Sequence, residues 1–172
     1  MSKRPDELLN ELIAKVENPS LETQEDVKQF YADWMELIWN YRVPSMLFDY
    51  YLPDIMVYRE NGSNKHGIRE IVREVTEMQA AFPDIKIRIG SMVCVGSKEE
   101  GFQLFATRYF NGTSLGYSQY GAPTGKKLEG DKCMSQDMIR LEKIDGKWKI
   151  VKEYTMMSAR TIRVAMGGEY EL

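Results

Sequence analysis

The sequence contains few cysteines and almost no histidine, and these scarcities exclude several classes of function. Its two cysteines, Cys94 and Cys133, are too few for a disulfide framework and lack metal-ligand spacing. His66 is the only histidine, so a metal site built from several histidines is excluded. We therefore expect free thiols in a reducing compartment, and we do not expect zinc hydrolase chemistry.

Long apolar runs and blocks of one charge are also missing. No run of about 18 apolar residues could form a membrane span, and the first residues are charged where a signal peptide would be apolar. The 23 basic and 26 acidic residues give a net charge of −3 without a long run of either sign. We therefore expect a cytoplasmic protein that binds neither membranes nor nucleic acid.

The length of 172 residues, with 43% apolar and 28% charged residues, predicts one globular domain. Residues 1–22 read as an amphipathic helical arm that packs on its own domain or on a partner subunit. Residues 23–160 form the predicted domain and residues 161–172 a C-terminal tail.

The apolar pattern changes its period within the domain. Helical spacing follows Thr23 and again follows His66, and it ends at Pro83. Beyond Pro83 apolar residues alternate with polar or small ones, and Asp145-Gly146 predicts a hairpin between two long strands. Helices followed by a meander predict an α+β domain with its helices on one face of a curved antiparallel sheet.

Five short motifs, in the correct order over roughly residues 25 to 157, resemble those of a known family. They are His66-Gly67-Ile68-Arg69, Phe82-Pro83-Asp84, Gly112-Thr113 with Gly116, Pro123-Thr124-Gly125-Lys126 and Asp145-Gly146-Lys147. On these residues the chain resembles the SnoaL-like polyketide cyclases, which belong to the cone-shaped domains named after nuclear transport factor 2.

The resemblance implies a cone with an apolar pocket between the helices and the sheet, often in a homodimer that packs sheet against sheet. Members act on fused-ring polyketide esters, and their relatives include dehydratases, isomerases and epoxide hydrolases. None needs a metal or an organic cofactor. The implied chemistry is proton transfer next to a carbonyl, which needs a base and a hydrogen-bond donor for the enolate oxygen.

The last strand departs from the family pattern at the residue that matters most. Thr155 stands where a cyclase usually has the proton-moving aspartate, and a hydroxyl is not a base at neutral pH. Alternation places Glu153 on the same face as Thr155, and Ile150, Tyr154 and Met156 on the other. Glu153 is therefore the candidate base. Alternatively, it is a solvated strand residue.

Further residues are candidates for the pocket. His66 or Tyr58 could donate the hydrogen bond to the enolate, although the pattern favours His66 as a helix-entry residue. Arg108 could clamp a substrate carboxylate or form a cross-strand ion pair at the rim. The remaining candidates for substrate binding are Thr155 and a set of apolar residues that could instead be core, namely Tyr31, Trp34, Phe110 and Met138.

These residues predict a cofactor-independent cyclase, isomerase or dehydratase that acts on a small apolar carbonyl compound as a homodimer. The alternative is a non-catalytic domain of the same fold, which binds a hydrophobic ligand or only dimerises. A cavity that holds both Glu153 and His66 would favour catalysis.

Overall fold

Four of the five helices within the described residues precede Pro83, as the sequence predicts, and a short fifth helix follows the last strand. The computed structural model describes residues 4–60 and 62–169. The helices are α1 (Pro5–Glu17), α2 (Gln24–Met35, continued by a π-helical turn Glu36–Asn40), α3 (Leu47–Tyr50, preceded by a 3₁₀ turn Pro44–Met46), α4 (Ile68–Ala81) and α5 (Ala159–Ala165). None of these helices combines the length and apolar character needed to cross a bilayer.

Seven strands form one open, mixed sheet. They are β1 (Met56–Arg59), β2 (Lys65–His66), β3 (Lys86–Ser97), β4 (Gly101–Thr113), β5 (Lys127–Leu128), β6 (Met134–Ile144) and β7 (Lys147–Met157). The order is β2-β1-β7-β6-β4-β3, and β5 pairs with one end of β4. All pairs are antiparallel except β1 and β7, which run parallel with Val57 opposite Glu153. The predicted α+β class is confirmed.

A β-bulge in β7 decides which residues face the helices. The register shifts opposite Arg140 and Leu141, so the simple alternation breaks before Glu153. As a result Ile150 faces inward and is fully buried, whereas Tyr154 and Met156 remain 40% and 53% exposed. The predicted grouping of Ile150 with Tyr154 and Met156 on one outer face is wrong, because one extra residue reverses the faces.

A second bulge, between Ile89 and Met92, acts in the same way on β3. Ile87 lies on the inner face before it and Cys94 after it. Val93 and Val95 consequently point outward and are exposed. Both bulges bend long strands, and together they give the sheet an inner face around the core and an apolar outer face.

The core lies between the helices and the inner face of the sheet. Trp34 of α2 is fully buried, and its ring contacts the rings of Tyr50 and Tyr51. The arm packs on its own domain, since Val16 is buried and the Tyr50 hydroxyl donates to its carbonyl oxygen. Within the predicted tail, Ile162 of α5 is buried too. Residues 1–3 of the predicted arm and 170–172 of the predicted tail lie outside the described residues.

Candidate active site

A carboxyl group lies inside the cone, on the inner face of β7. Glu153 is 6% exposed, and β7 directs it toward the short helix α3. The hydroxyl of Tyr51, at the end of α3, donates a hydrogen bond to Oε2, and the Thr155 hydroxyl lies 2.6 Å from Oε1. Within the described residues these hydrogen bonds of the carboxyl come from hydroxyls, not from a cation.

An ion pair lies beside this carboxyl. Arg108 of β4 binds Asp137 of β6 through two nitrogens, with Nε 2.7 Å from Oδ2 and Nη2 2.5 Å from Oδ1. The Ser135 hydroxyl accepts from Arg108 Nε at 3.0 Å and donates to Asp137 Oδ2 at 2.9 Å. Burial is the largest single effect on Arg108 and opposes its charge, but the charge and hydrogen bond of Asp137, together with Tyr31 and Glu153, outweigh it and raise the pKa of the guanidinium. The pair lies in the interior rather than at the rim.

Thr155 connects the two carboxyl groups. Its Oγ1 lies 3.0 Å from Asp137 Oδ1 and 2.6 Å from Glu153 Oε1. A hydroxyl carries one proton, so it donates to one carboxyl at a time and can accept from the other. Thr155 is therefore no base itself, but it links Glu153 to the Arg108–Asp137 pair.

The Tyr51 hydroxyl is held in its protonated form. Burial is the largest cause, and the charge of Glu153 and the hydrogen bond to it add to the effect, so the pKa of Tyr51 is well above its usual range. Burial also raises the pKa of nearby Tyr31. Tyr51 is therefore a hydrogen-bond donor at neutral pH and not a source of charge.

A cavity of about 40 Å³ lies against Glu153. Its walls come from α2, α3, α4 and three strands, and include Met35, Met78, Met157, Arg59, Arg108 and Glu153. One water molecule takes about 30 Å³ of liquid, and pockets for drug-sized ligands reach about 300–1,000 Å³. A fused-ring molecule does not fit this space, although flexible methionines can widen it.

A much larger groove, of about 820 Å³, lies on the outer face of the sheet. It is apolar, and its walls include Val93, Phe105, Met138 and Tyr154. Tyr58 stacks on Tyr154 there, with ring centroids 4.8 Å apart. This groove and the buried cavity lie on opposite faces of the same sheet, and Arg59 lines both.

The structure brings together some of the predicted site residues and separates others. Thr155, Arg108, Phe110, Tyr31 and Trp34 are buried on the same side of the sheet as Glu153.

The remaining three lie elsewhere. Tyr58 and Met138 line the outer groove, so neither contacts Glu153. His66 is exposed on β2, where its backbone N–H donates to Glu70 at the start of α4, which is the helix-entry arrangement. The condition of one cavity holding both Glu153 and His66 is not met.

Sequence reasoning missed Tyr51, which donates to the buried carboxyl, Arg59, which lines its cavity, and Asp137, which Thr155 links to that carboxyl. Asp137 lies on the same face of β6 as buried Ile139 and Leu141. This two-residue spacing could have identified an acidic side chain that points inward. Tyr51 and Arg59 lie at the ends of short elements, which are too short to show a periodic apolar pattern.

In residues 4–60 and 62–169 no group of His, Cys, Asp and Glu side chains is arranged to hold a metal ion.

Comparisons with known proteins agree with this architecture. The model of the SnoaL-like polyketide cyclase family matches residues 25–160. No curated protein sequence matches the chain. AclR, a proposed hydroxylase from Streptomyces galilaeus, has a TM-score of 0.63 at 18% identity and covers 87% of this chain and 86% of its own.

Two further solved structures share the fold at low identity. A proposed polyketide cyclase from Bacillus cereus has a TM-score of 0.60 at 15% identity, covering 84% of this chain and 85% of its own. Nuclear transport factor 2 from Cryptosporidium parvum has a TM-score of 0.55 at 17% identity, covering 82% and 100%. At these identities the structures share the fold alone.

Proposed function

Because the chain belongs to the SnoaL-like polyketide cyclase family, we propose that it moves a proton next to a carbonyl group, with Glu153 as the base. The reaction class is that of a cofactor-independent isomerase, dehydratase or cyclase. The observation that carries the proposal is a carboxyl buried in the cone and bonded to two hydroxyls rather than to a cation. Such a group can take up and return a proton.

The proton-transfer step uses groups of this chain alone. The C–H bond next to the carbonyl breaks, its proton passes to a carboxylate oxygen of Glu153, and the electron pair moves onto the carbonyl oxygen as an enolate. Tyr51 and Thr155 hold the carboxylate in place during the transfer. Return of the proton to another atom of the substrate completes an isomerisation.

The cavity sets the size of the substrate. About 40 Å³ beside Glu153 admits a small carbonyl compound after rotation of Met35, Met78 or Met157. This supports a substrate smaller than the fused-ring esters of the family's cyclases.

The test follows exchange of carbon-bound hydrogen for deuterium. Small ketones such as butanone and levulinate are incubated with the protein in D₂O, and loss of the proton signal next to the carbonyl is followed by NMR. The Glu153→Gln variant should lower the rate by about 10² or more, because it keeps the shape and removes the basic site. Glu142→Gln, at a half-exposed position of β6, is the control. Equal rates in wild type and Glu153→Gln would contradict the proposal.

A second proposal concerns assembly, and it holds for a catalytic and for a non-catalytic protein. We propose a homodimer through the outer sheet face, because an apolar row of neighbouring residues crosses five strands there. The row consists of Val93, Phe105, Met138, Tyr154 and Tyr58. Exposed apolar patches of this kind mark interaction sites, and a twofold axis lets one patch serve both partners.

A further inference from the structure

Arg59 is a second guanidinium at the buried cavity. It lies on β1 opposite Thr155, and its side chain is 9% exposed. Nη2 lies 2.5 Å from Glu74 Oε2 on α4, and Nη1 is 3.9 Å from the Met157 sulfur. Nε is buried and has no hydrogen-bond partner within the described residues.

This unused donor distinguishes Arg59 from Arg108. Arg108 directs Nε and Nη2 at Asp137 and is neutralised there. Arg59 shares the cavity with Glu153, but its one carboxylate partner occupies a single nitrogen. A buried donor without an acceptor is unfavourable, and a guanidinium presents a planar fork that fits two carboxylate oxygens. The arrangement therefore favours an anionic ligand in the cavity.

Glu74 stands at the boundary between this cavity and the surface. A second cavity of about 130 Å³, under Tyr120 and α5, shares Glu74, Met78 and Met157 with the first. Glu74 itself is 29% exposed, so it can turn toward water without being left as a buried charge. A ligand that enters here meets the Arg59–Glu74 pair before it reaches Glu153.

We propose that Arg59 binds a carboxylate group of the substrate, and that Glu74 competes for the same guanidinium. The substrate class is then a small oxo acid, with its carboxylate on Arg59 and the carbon next to its carbonyl at Glu153. The binding of a carboxylate by Arg59 does not depend on whether the protein is a catalyst. The placement of the reacting carbon at Glu153 rests on the proposed function.

The test compares two probes of similar size. Levulinate carries a carboxylate, and in acetonylacetone an acetyl group replaces it. Binding is measured by NMR titration of the full chain. Wild type should bind levulinate on the order of tenfold or more tightly than acetonylacetone, because only levulinate offers an anion to Arg59.

Variants of the ion pair sharpen the test. Arg59→Met should remove the preference for levulinate. Glu74→Gln should strengthen levulinate binding about tenfold, because the competing carboxylate is gone. Glu77→Gln is the matched control. It also removes a negative charge from α4, but Glu77 pairs with Arg73 and not with Arg59. If Arg59→Met fails to fold, the Glu74→Gln and Glu77→Gln pair still decides.

Three results would overturn the inference. These are equal binding of the two probes, no levulinate binding by wild type or Glu74→Gln at millimolar concentration, and equal effects of Glu74→Gln and Glu77→Gln. Glu153→Gln separates this inference from the proposed function, because it should lower the rate of deuterium exchange by about 10² or more while levulinate binding persists. If Glu153→Gln still exchanges deuterium while levulinate binding depends on Arg59, then Glu153 is not the base but the carboxylate site at Arg59 is supported.

Discussion

At the scale of single residues, an ion pair and a buried carboxyl share one hydroxyl. Thr155 lies within hydrogen-bond distance of both Asp137 and Glu153. Asp137 neutralises the positive charge of Arg108. Glu153 is therefore not needed as the counter-ion of Arg108 and is available as a base. A threonine in place of the family's usual aspartate is consistent with this network, because it adds no further negative charge.

Removal of Asp137 should destabilise the protein strongly. Asp137→Asn leaves the Arg108 guanidinium buried and unpaired, and breaking a buried pair costs about 3–5 kcal/mol. Urea unfolding measures the difference. Glu142→Gln breaks the more exposed pair with Arg140 and should cost no more than about 1 kcal/mol. Similar costs for the two variants would show that the interior pair is not held as described.

Sequence reasoning identified Glu153 and Thr155 as candidates but missed Tyr51, the other hydroxyl that contacts the carboxyl. Alternation counted from Thr155 back to Glu153 crosses no irregularity, so both residues face the same way. Tyr51 follows a helix of four residues and meets Glu153 from a distant part of the chain. Such contacts between distant residues depend on tertiary packing, which a single local pattern does not contain.

At the scale of elements, the two bulges decide which face each long strand presents to the helices. The strands themselves could be predicted from the alternation of apolar and polar residues and from the Asp145-Gly146 turn. The bulges do not, because an extra residue leaves the local composition unchanged while it reverses every later side chain. Ile150 and Val93 are the residues at which this reversal matters.

Two apolar positions on β7 should therefore differ in their effect on stability. Ile150→Ala empties a buried site and should cost about 2–5 kcal/mol. Met156→Ala changes an exposed side chain and should change the unfolding free energy of the protomer by about 0.5 kcal/mol or less. Urea unfolding in a monomeric Phe105→Glu background measures both without a contribution from assembly. Equal costs would place the two residues on one face, as plain alternation predicts.

At the scale of the whole molecule, the fold was predictable and the shape of its cavity was not. The change of period at Pro83 and five ordered motifs were enough for the α+β cone. The volume left inside depends on how Trp39, Tyr51 and three methionines pack together, and such packing is set by atomic shape rather than by pattern.

The homodimer is tested by mass. Sedimentation of the 20.0 kDa chain should give about twice that mass at micromolar concentration. Phe105→Glu places a charge in the apolar row and should give a monomer, while Gln103→Glu, in the neighbouring row between Val95 and Arg140, should remain a dimer. A wild-type monomer would contradict the proposal.

The parallel pairing of β1 with β7 has a consequence for the order of folding. Val57 and Glu153 lie side by side in the sheet but almost a hundred positions apart in the chain. Closing such a long loop is slow, and on the ribosome β1 pairs only with the two-residue strand β2 until the last strand emerges. Arg59 and Tyr51 come from the early part of the chain, and Glu153 and Thr155 from the late part. The proposed site should therefore assemble in the final folding step, and truncation before β7 would leave the inner apolar face open to chaperones.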